Sequence, residues 1–170
     1  MKIIGIVLSA LALVSCTGLP RNVEPVKEFD VDRYLGTWYE VARLDHRFER
    51  GLSQVTAEYA LQDDGSVRVT NRGYKEETGE WSEAEGKAVF VDEEDVGHLK
   101  VSFFGPFYSS YVVFELDDED YQYAFVTGHN RKYLWFLSRT PEVSDALKSR
   151  FLQQAENADF DTSELVWVAQ

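Results

Sequence analysis

Between residues 37 and 138 apolar and polar side chains alternate in short runs, each closed by a polar or glycine-containing segment. Val55, Ala57, Tyr59 and Leu61 alternate with Gln54, Thr56 and Glu58, the period of a strand with one face in a core. Val67, Val69 and Asn71 oppose Arg68, Thr70 and Arg72 in the same way. Gly86, Ala88 and Phe90 share one face of residues 81–91, and Leu99, Val101 and Phe103 one face of residues 98–104. With residues 37–44, 111–116, 121–127 and 133–138, this makes eight short strands. Asp63-Asp64-Gly65 is a hairpin turn, because glycine readily supplies the positive φ that such turns need. Residues 76–80, 92–97, 117–120 and 128–131 are further polar turns, and Gly105-Pro106-Phe107 interrupts the pattern once more. Residues 45–52 break the periodicity with two apolar residues among charges, and are read as a long loop over one end. The fold class is all-β: an eight-stranded up-and-down antiparallel barrel with room for one small ligand.

The period then changes. Thr140 is read as a helix cap with Pro141 in the first turn, and Val143, Ala146, Leu147, Phe151 and Ala155 form one helical stripe for the outside of the barrel. Leu165-Val166-Trp167-Val168 closes the pattern as a short strand.

Composition narrows the function. A 170-residue chain is one domain by prior, and 14% aromatic residues favours strands. The formal charge of -13 leaves no basic stripe for phosphates, which argues against a nucleic-acid partner and against electrostatic attachment to anionic lipid. Met1-Lys2 followed by the apolar run Ile3 to Val14 is too short to span a bilayer, and reads as a signal peptide over residues 1–15.

Three short motifs remain: Gly36-Thr37-Trp38-Tyr39-Glu40-Val41-Ala42-Arg43, Asp120-Tyr121, and Leu137-Ser138-Arg139-Thr140-Pro141. Together they resemble the motifs of the lipocalin family over residues 28–170, and are most similar to the bacterial lipocalins, which are outer-membrane lipoproteins. The resemblance implies that Gly36, Trp38, Asp120, Tyr121 and Arg139 are structural, with Trp38 closing the barrel floor and Arg139 packed across it. Leu13-Val14-Ser15-Cys16 is similar to a bacterial lipobox, which implies cleavage before Cys16 and acylation of its thiol. Thr17, where an Asp would mark inner-membrane retention, points to a lipid anchor in the outer membrane, facing the periplasm. Residues 16–27, with Pro20 and Pro25, are then the lipidated cysteine and a tether, and residues 28–170 the barrel domain. Many lipocalins carry disulfides; here Cys16 is the only cysteine, which leaves the fastening of the C-terminal segment open.

By parity with an inward Trp38, Glu40 and Ala42 also face the interior. Ala57, Tyr59, Val69, Ala88, Phe90, Leu99, Val101 and Phe103 are candidate wall residues by the same alternation, and Tyr111, Val113, Tyr133, Trp135 and Leu137 follow wherever no bulge shifts the register. Such a wall suits an acyl chain, with hydroxyls for a head group. The resemblance implies a fatty acid or lysophospholipid, held for storage or transport in envelope maintenance. It also leaves a homodimer open, since self-association is known among bacterial lipocalins.

An enzymatic reading finds little. His46, His98 and His129 are scattered without metal-ligand spacing, no nucleophile elbow or phosphate loop occurs, and no cofactor is implied. The isomerase lipocalins use a cysteine thiol, a route an acylated Cys16 closes. Glu40 or Glu115 acting as acid or base on a lipid, and a packed barrel serving as an interaction module, are the two alternatives carried forward.

Overall fold

The structure, a computed structural model, is described over residues 17–170, so the signal segment and Cys16 lie outside the described residues. Eight strands follow one another as β1 (Gly36–Leu44), β2 (Leu52–Leu61), β3 (Val67–Lys75), β4 (Glu80–Phe90), β5 (His98–Phe104), β6 (Phe107–Leu116), β7 (Tyr123–Thr127) and β8 (Leu134–Ser138). Each pairs antiparallel with the next, and β1 pairs with both β2 and β8, which closes the barrel. The one-turn helix α1 (Val31–Tyr34) leads into β1 at the floor end, the helix α2 (Asp145–Asn157) follows β8, and β9 (Leu165–Trp167) adds to the outer part of β1. The floor end carries α1 and the β2–β3, β4–β5 and β6–β7 turns. The mouth carries the β1–β2 loop and the β3–β4, β5–β6 and β7–β8 turns.

Two hydrophobic cores share these strands. Inside the barrel, Tyr34, Trp38, Ala57, Tyr59, Val69 and Leu137 belong to one cluster; outside it, Phe125, Phe136, Phe151 and Phe160 belong to another under α2. Strand β1 serves both and is bulged as well: its register against β8 slips between Glu40 and Ala42. One extra residue reverses the alternation. Ala42, expected to face inward with Trp38, therefore lies in the outer core, whereas Arg43 takes the inward position.

The bulge also explains the C-terminal segment. Pairing of β1 with β2 ends at Tyr39 and Thr56, and β9 takes over beside Ala42 to Leu44. The split between β1 and β2 is bridged by Val168 N donating to Val41 O (2.9 Å), Gln54 N donating to Ala169 O (2.6 Å), and Gln170 Nε2 donating to the carbonyls of Glu40 (2.7 Å) and Val55 (3.1 Å).

Two expectations are corrected here. Helix α2 begins at Asp145, not at Thr140-Pro141: Ser144 Oγ accepts from Leu147 N at 3.2 Å, and Thr140 Oγ1 instead donates to Glu142 O. Serine followed by an acid in the first turn is the stronger N-terminal signal, since it satisfies a free N–H and complements the helix dipole. Starting there, α2 docks through Leu147, Phe151 and Ala155 and leaves Ala146 exposed. Phe151 lies 5.0 Å from Phe125 and 4.9 Å from Phe136, ring centre to ring centre. The segment read as a tether is also not free of the barrel: Pro20 and Val23 are buried, Val26 N donates to Val113 O and Gly97 N to Val26 O.

Candidate ligand-binding site

The floor is built by the motif residues. Trp38 is fully buried, and its Nε1 donates to Tyr34 O at 2.8 Å. The Arg139 guanidinium lies 3.9 Å from the centre of the Trp38 ring, and donates to the carbonyls of Thr37 (3.0 Å), Arg33 (2.8 Å) and Tyr121 (3.2 Å). Stacking and three carbonyl acceptors use the planar cation on its face and its edge at once. Gly36 lies beneath this cation at φ 92°, a left-handed conformation that favours glycine; a Cβ there would meet Arg139 Nη1 at an ordinary 3.5 Å. Tyr121, at φ 54°, is buried, and its hydroxyl accepts from Asp30 N at 3.0 Å. Asp120 does not join them; it is exposed in the β6–β7 turn, where its carbonyl accepts from Gln122 Nε2.

Above the floor, the Tyr111 hydroxyl is 2.7 Å from that of Tyr34 and 2.7 Å from that of Tyr59, a chain of three phenols. Burial pushes all three well above the ordinary tyrosine value. Beside them lies a cavity of about 10 Å³, lined by Phe29, Val31, Tyr34, Leu35, Tyr59, Val67, Val69, Ala88, Leu99 and Tyr111. That is about one water's worth of space. Ala57, Tyr59, Val69, Ala88, Leu99, Val113 and Leu137 all belong to the interior core, and Phe90, Val101, Phe103, Tyr111 and Trp135 pack against it. Phe90, Val101, Phe103, Tyr111 and Trp135, which pack on that core, are each only half-buried. Phe103 lies across Gly86, where a Cβ would come within 2.8 Å of its ring and 2.9 Å of Ser102 O. Tyr133 precedes β8 instead of starting it, and stacks on Trp135 at the mouth (5.9 Å between ring centres, 16° between planes).

The mouth holds a buried charged cluster. Arg43, 2% exposed, donates from Nη1 to Glu40 Oε1 at 2.7 Å, and from Nη2 to the carbonyls of Glu49 (2.7 Å) and Leu52 (3.3 Å). The Glu49 carboxylate, carried on the β1–β2 loop, accepts from Trp135 Nε1 at 3.0 Å and lies 2.8 Å from His46 Nε2. Among the described residues, Arg43 Nε and His46 Nδ1 have no hydrogen-bond partner. Burial and the neighbouring Glu49 push the Glu40 carboxyl up against the pull of Arg43. Burial works the same way on Glu49, but His46, Trp135 and Arg43 outweigh it and hold that carboxyl below its usual value. From the sequence, His46 is weighed only as a metal ligand, and Arg43 and Glu49 have no role of their own. Strand residues three apart fall on opposite faces, so only the bulge brings Glu40 and Arg43 together, and nothing in their types announces it. His46 meets Tyr133 (5.6 Å between ring centres), as does His129 (5.7 Å), while His98 hydrogen-bonds Ser110. Among the described residues no three His, Cys, Asp or Glu side chains converge on a metal position.

Four large aromatics stand exposed around this end: Phe48 in the β1–β2 loop, Trp81 at the start of β4, and Phe104 and Phe107 flanking the β5–β6 turn. Arg47 lies over Phe48 at 4.8 Å and Arg72 over Trp81 at 4.2 Å.

A closed eight-stranded barrel with an apolar interior, a Trp–Arg floor and an outer helix is the architecture of a small-ligand binder. Residues 29–170 match the lipocalin-like domain, and the chain belongs to the lipocalin family. Among curated relatives it is 58% identical to the outer membrane lipoprotein Blc of Vibrio cholerae, over all of this chain and 99% of that one. It is 50% identical to the protein of the same name in Escherichia coli, over all of this chain and 98% of that one. Among solved structures it resembles insecticyanin of the tobacco hornworm Manduca sexta, with a TM-score of 0.71 at 20% identity over 90% of this chain and 87% of that one, a likeness of fold alone.

Proposed function

We propose that this protein is an outer-membrane lipocalin, acylated at Cys16 and facing the periplasm, that holds a fatty acid or lysophospholipid in its barrel. The observation that carries this reading is the inward apolar wall, of which Phe90, Val101, Phe103, Tyr111 and Trp135 pack on the interior core while staying half-buried. Such a wall accepts an acyl chain by displacing water and swinging Phe103 and Trp135 aside. Burial of about twelve methylenes is worth on the order of 10 kcal/mol before the costs of association, enough for micromolar binding. The relatives' shared name supports the location, and the exposed aromatics of the mouth support an orientation with that end toward lipid. Binding, not catalysis, is the reading for the interior: its phenols are shifted away from ionisation, and its carboxylates are engaged with Arg43, His46 and Trp135.

A second reading, a packed barrel that acts as an interaction module, is favoured by the smallness of the cavity beside the phenols, about 10 Å³. Native mass spectrometry on protein expressed from Thr17 onward, followed by organic extraction, separates the two. A co-purifying lipid of one mass class is the expected result. A protein that arrives empty and refuses added fatty acids and lysophospholipids sinks the lipid reading in favour of the packed barrel.

A further inference from the structure

The charged cluster at the mouth has the composition of an occupied anion site. Its fixed parts stand on the barrel wall: Arg43 on β1 and, directly across the ladder, Trp135 on β8. Their donors are Arg43 Nη2 and Nε and Trp135 Nε1. Its removable parts stand on the β1–β2 loop: the Glu49 carboxylate on Trp135, and the Glu49 carbonyl on Arg43 Nη2. Of the wall donors, Arg43 Nε alone is left unpaired, in a side chain 2% exposed. A buried guanidinium N–H without a partner is costly, and such groups are ordinarily satisfied. Below the cluster the wall is apolar through Phe103 and Val101 to the three phenols, so a buried guanidinium stands at the mouth end of an apolar sleeve. That is the arrangement for a single-chain amphiphile with its acid at the mouth and its tail toward the floor.

We propose that Glu49 is an internal stand-in for the acidic head group of the ligand. A carboxylate or phosphate on a single acyl chain displaces it, taking Trp135 Nε1 together with the Nε and Nη2 edge of Arg43. The two edge nitrogens of a guanidinium donate to an anion side-on as a fork; once the loop carbonyl of Glu49 leaves Nη2, that nitrogen keeps only its longer bond to Leu52 O, 3.3 Å. Glu40 stays as the permanent partner of Nη1. The loop is suited to leave: Phe48 and Arg50 are exposed on it, and the Arg50–Asp45 pair is at the surface. Its departure also carries away the His46 ring, which rests on Tyr133 and Trp135, and widens the mouth.

This rests on the reading of the barrel as a lipid binder and is tested apart from it. Affinities of the protein from Thr17 onward are measured for palmitate and for hexadecanol, which share a chain and differ in charge. Wild type is compared with Glu49→Gln and Arg43→Met. Removing the competing carboxylate in Glu49→Gln raises the palmitate-to-hexadecanol affinity ratio about tenfold, the difference between a charge-assisted and a neutral competitor. Arg43→Met lowers that ratio by about a hundredfold; because it removes a buried ion-pair partner and can impair folding, Glu49→Gln is the deciding variant. Repeating the series with lysophosphatidate shows whether the site favours phosphate over carboxylate. A ratio that Glu49→Gln leaves unchanged for both acids, with both chains still bound, overturns the stand-in and leaves lipid binding intact. A protein that binds neither palmitate nor hexadecanol overturns both readings.

Discussion

Arg139 shows what one side chain does at the floor. It stacks on Trp38 and satisfies three carbonyls from three different segments, so Arg139→Ala leaves all three to compete for water under the barrel. The expected loss is about 2–3 kcal/mol in urea unfolding, and Arg139→Lys recovers little of it, because a point charge replaces a planar fork. The phenol chain of Tyr34, Tyr111 and Tyr59 gives a second expectation. Their folded values are raised, so the stability they contribute is present below the unfolded tyrosine value, near 10, and is lost as pH rises beyond it. In an alkaline absorbance titration, these three of the nine tyrosines ionise together with unfolding and not before. Three phenols that ionise with the exposed ones in a still-folded protein would contradict their burial. At this scale the alternation of Ala57, Tyr59, Val69, Ala88, Leu99, Val101 and Phe103 was legible, since period two has only one inward solution once Trp38 is placed. Arg43 was not, because its orientation depends on a backbone slip that no side chain near it encodes.

Among the elements, α2 has the clearest energetic signature. Phe151 fills the space between Phe125 and Phe136, so Phe151→Ala costs about 3–5 kcal/mol, while Ser144→Ala removes one cap and costs about 1 kcal/mol, both read by denaturant titration. Equal small effects would mean that the helix end, not the aromatic contact, holds α2 down. The order of strands, the turns at Asp63-Asp64-Gly65 and Gly105-Pro106, and the change of period after β8 were readable as pattern. The start of α2 was misplaced because Thr140-Pro141 and Ser144-Asp145 are both acceptable openings on paper. Tertiary packing chose the one that seats Phe151 on Phe136. The packing of residues 20–27 was hidden for a related reason: prolines mark the absence of helix but say nothing of Val26 bonding to Val113 and Gly97.

For the whole molecule, the two cores are not independent layers. Strands β6, β7 and β8 present Val113, Val126 and Leu137 to the interior and Val112, Phe125 and Phe136 to α2. Loss of either core exposes the other, so unfolding followed by near-ultraviolet and far-ultraviolet circular dichroism should give coincident transitions. An early loss of helical signal with the aromatic signal intact would show that α2 unfolds alone. The charge of -13 is distributed unevenly as well: the turns at residues 63–64, 92–95 and 117–120 put their carboxylates at the floor end, opposite the exposed aromatics. Composition disclosed the sum of these charges but not their polarity, which exists only once the turns are sorted between the two ends.

The slip in β1 that turns Arg43 inward also releases the carbonyls of Glu40 and Val41 from the regular ladder, and these are the groups that Gln170 and Val168 engage. Residues 168–170 therefore brace the wall segment that carries Glu40 and Arg43 by bonding across the split between β1 and β2. On the proposed lipid-binding reading, these residues are a remote lever on how long a bound lipid stays. Removal of residues 168–170 is expected to leave the helix docked but to quicken release of a bound acid, a change that stopped-flow displacement would register as a faster off-rate.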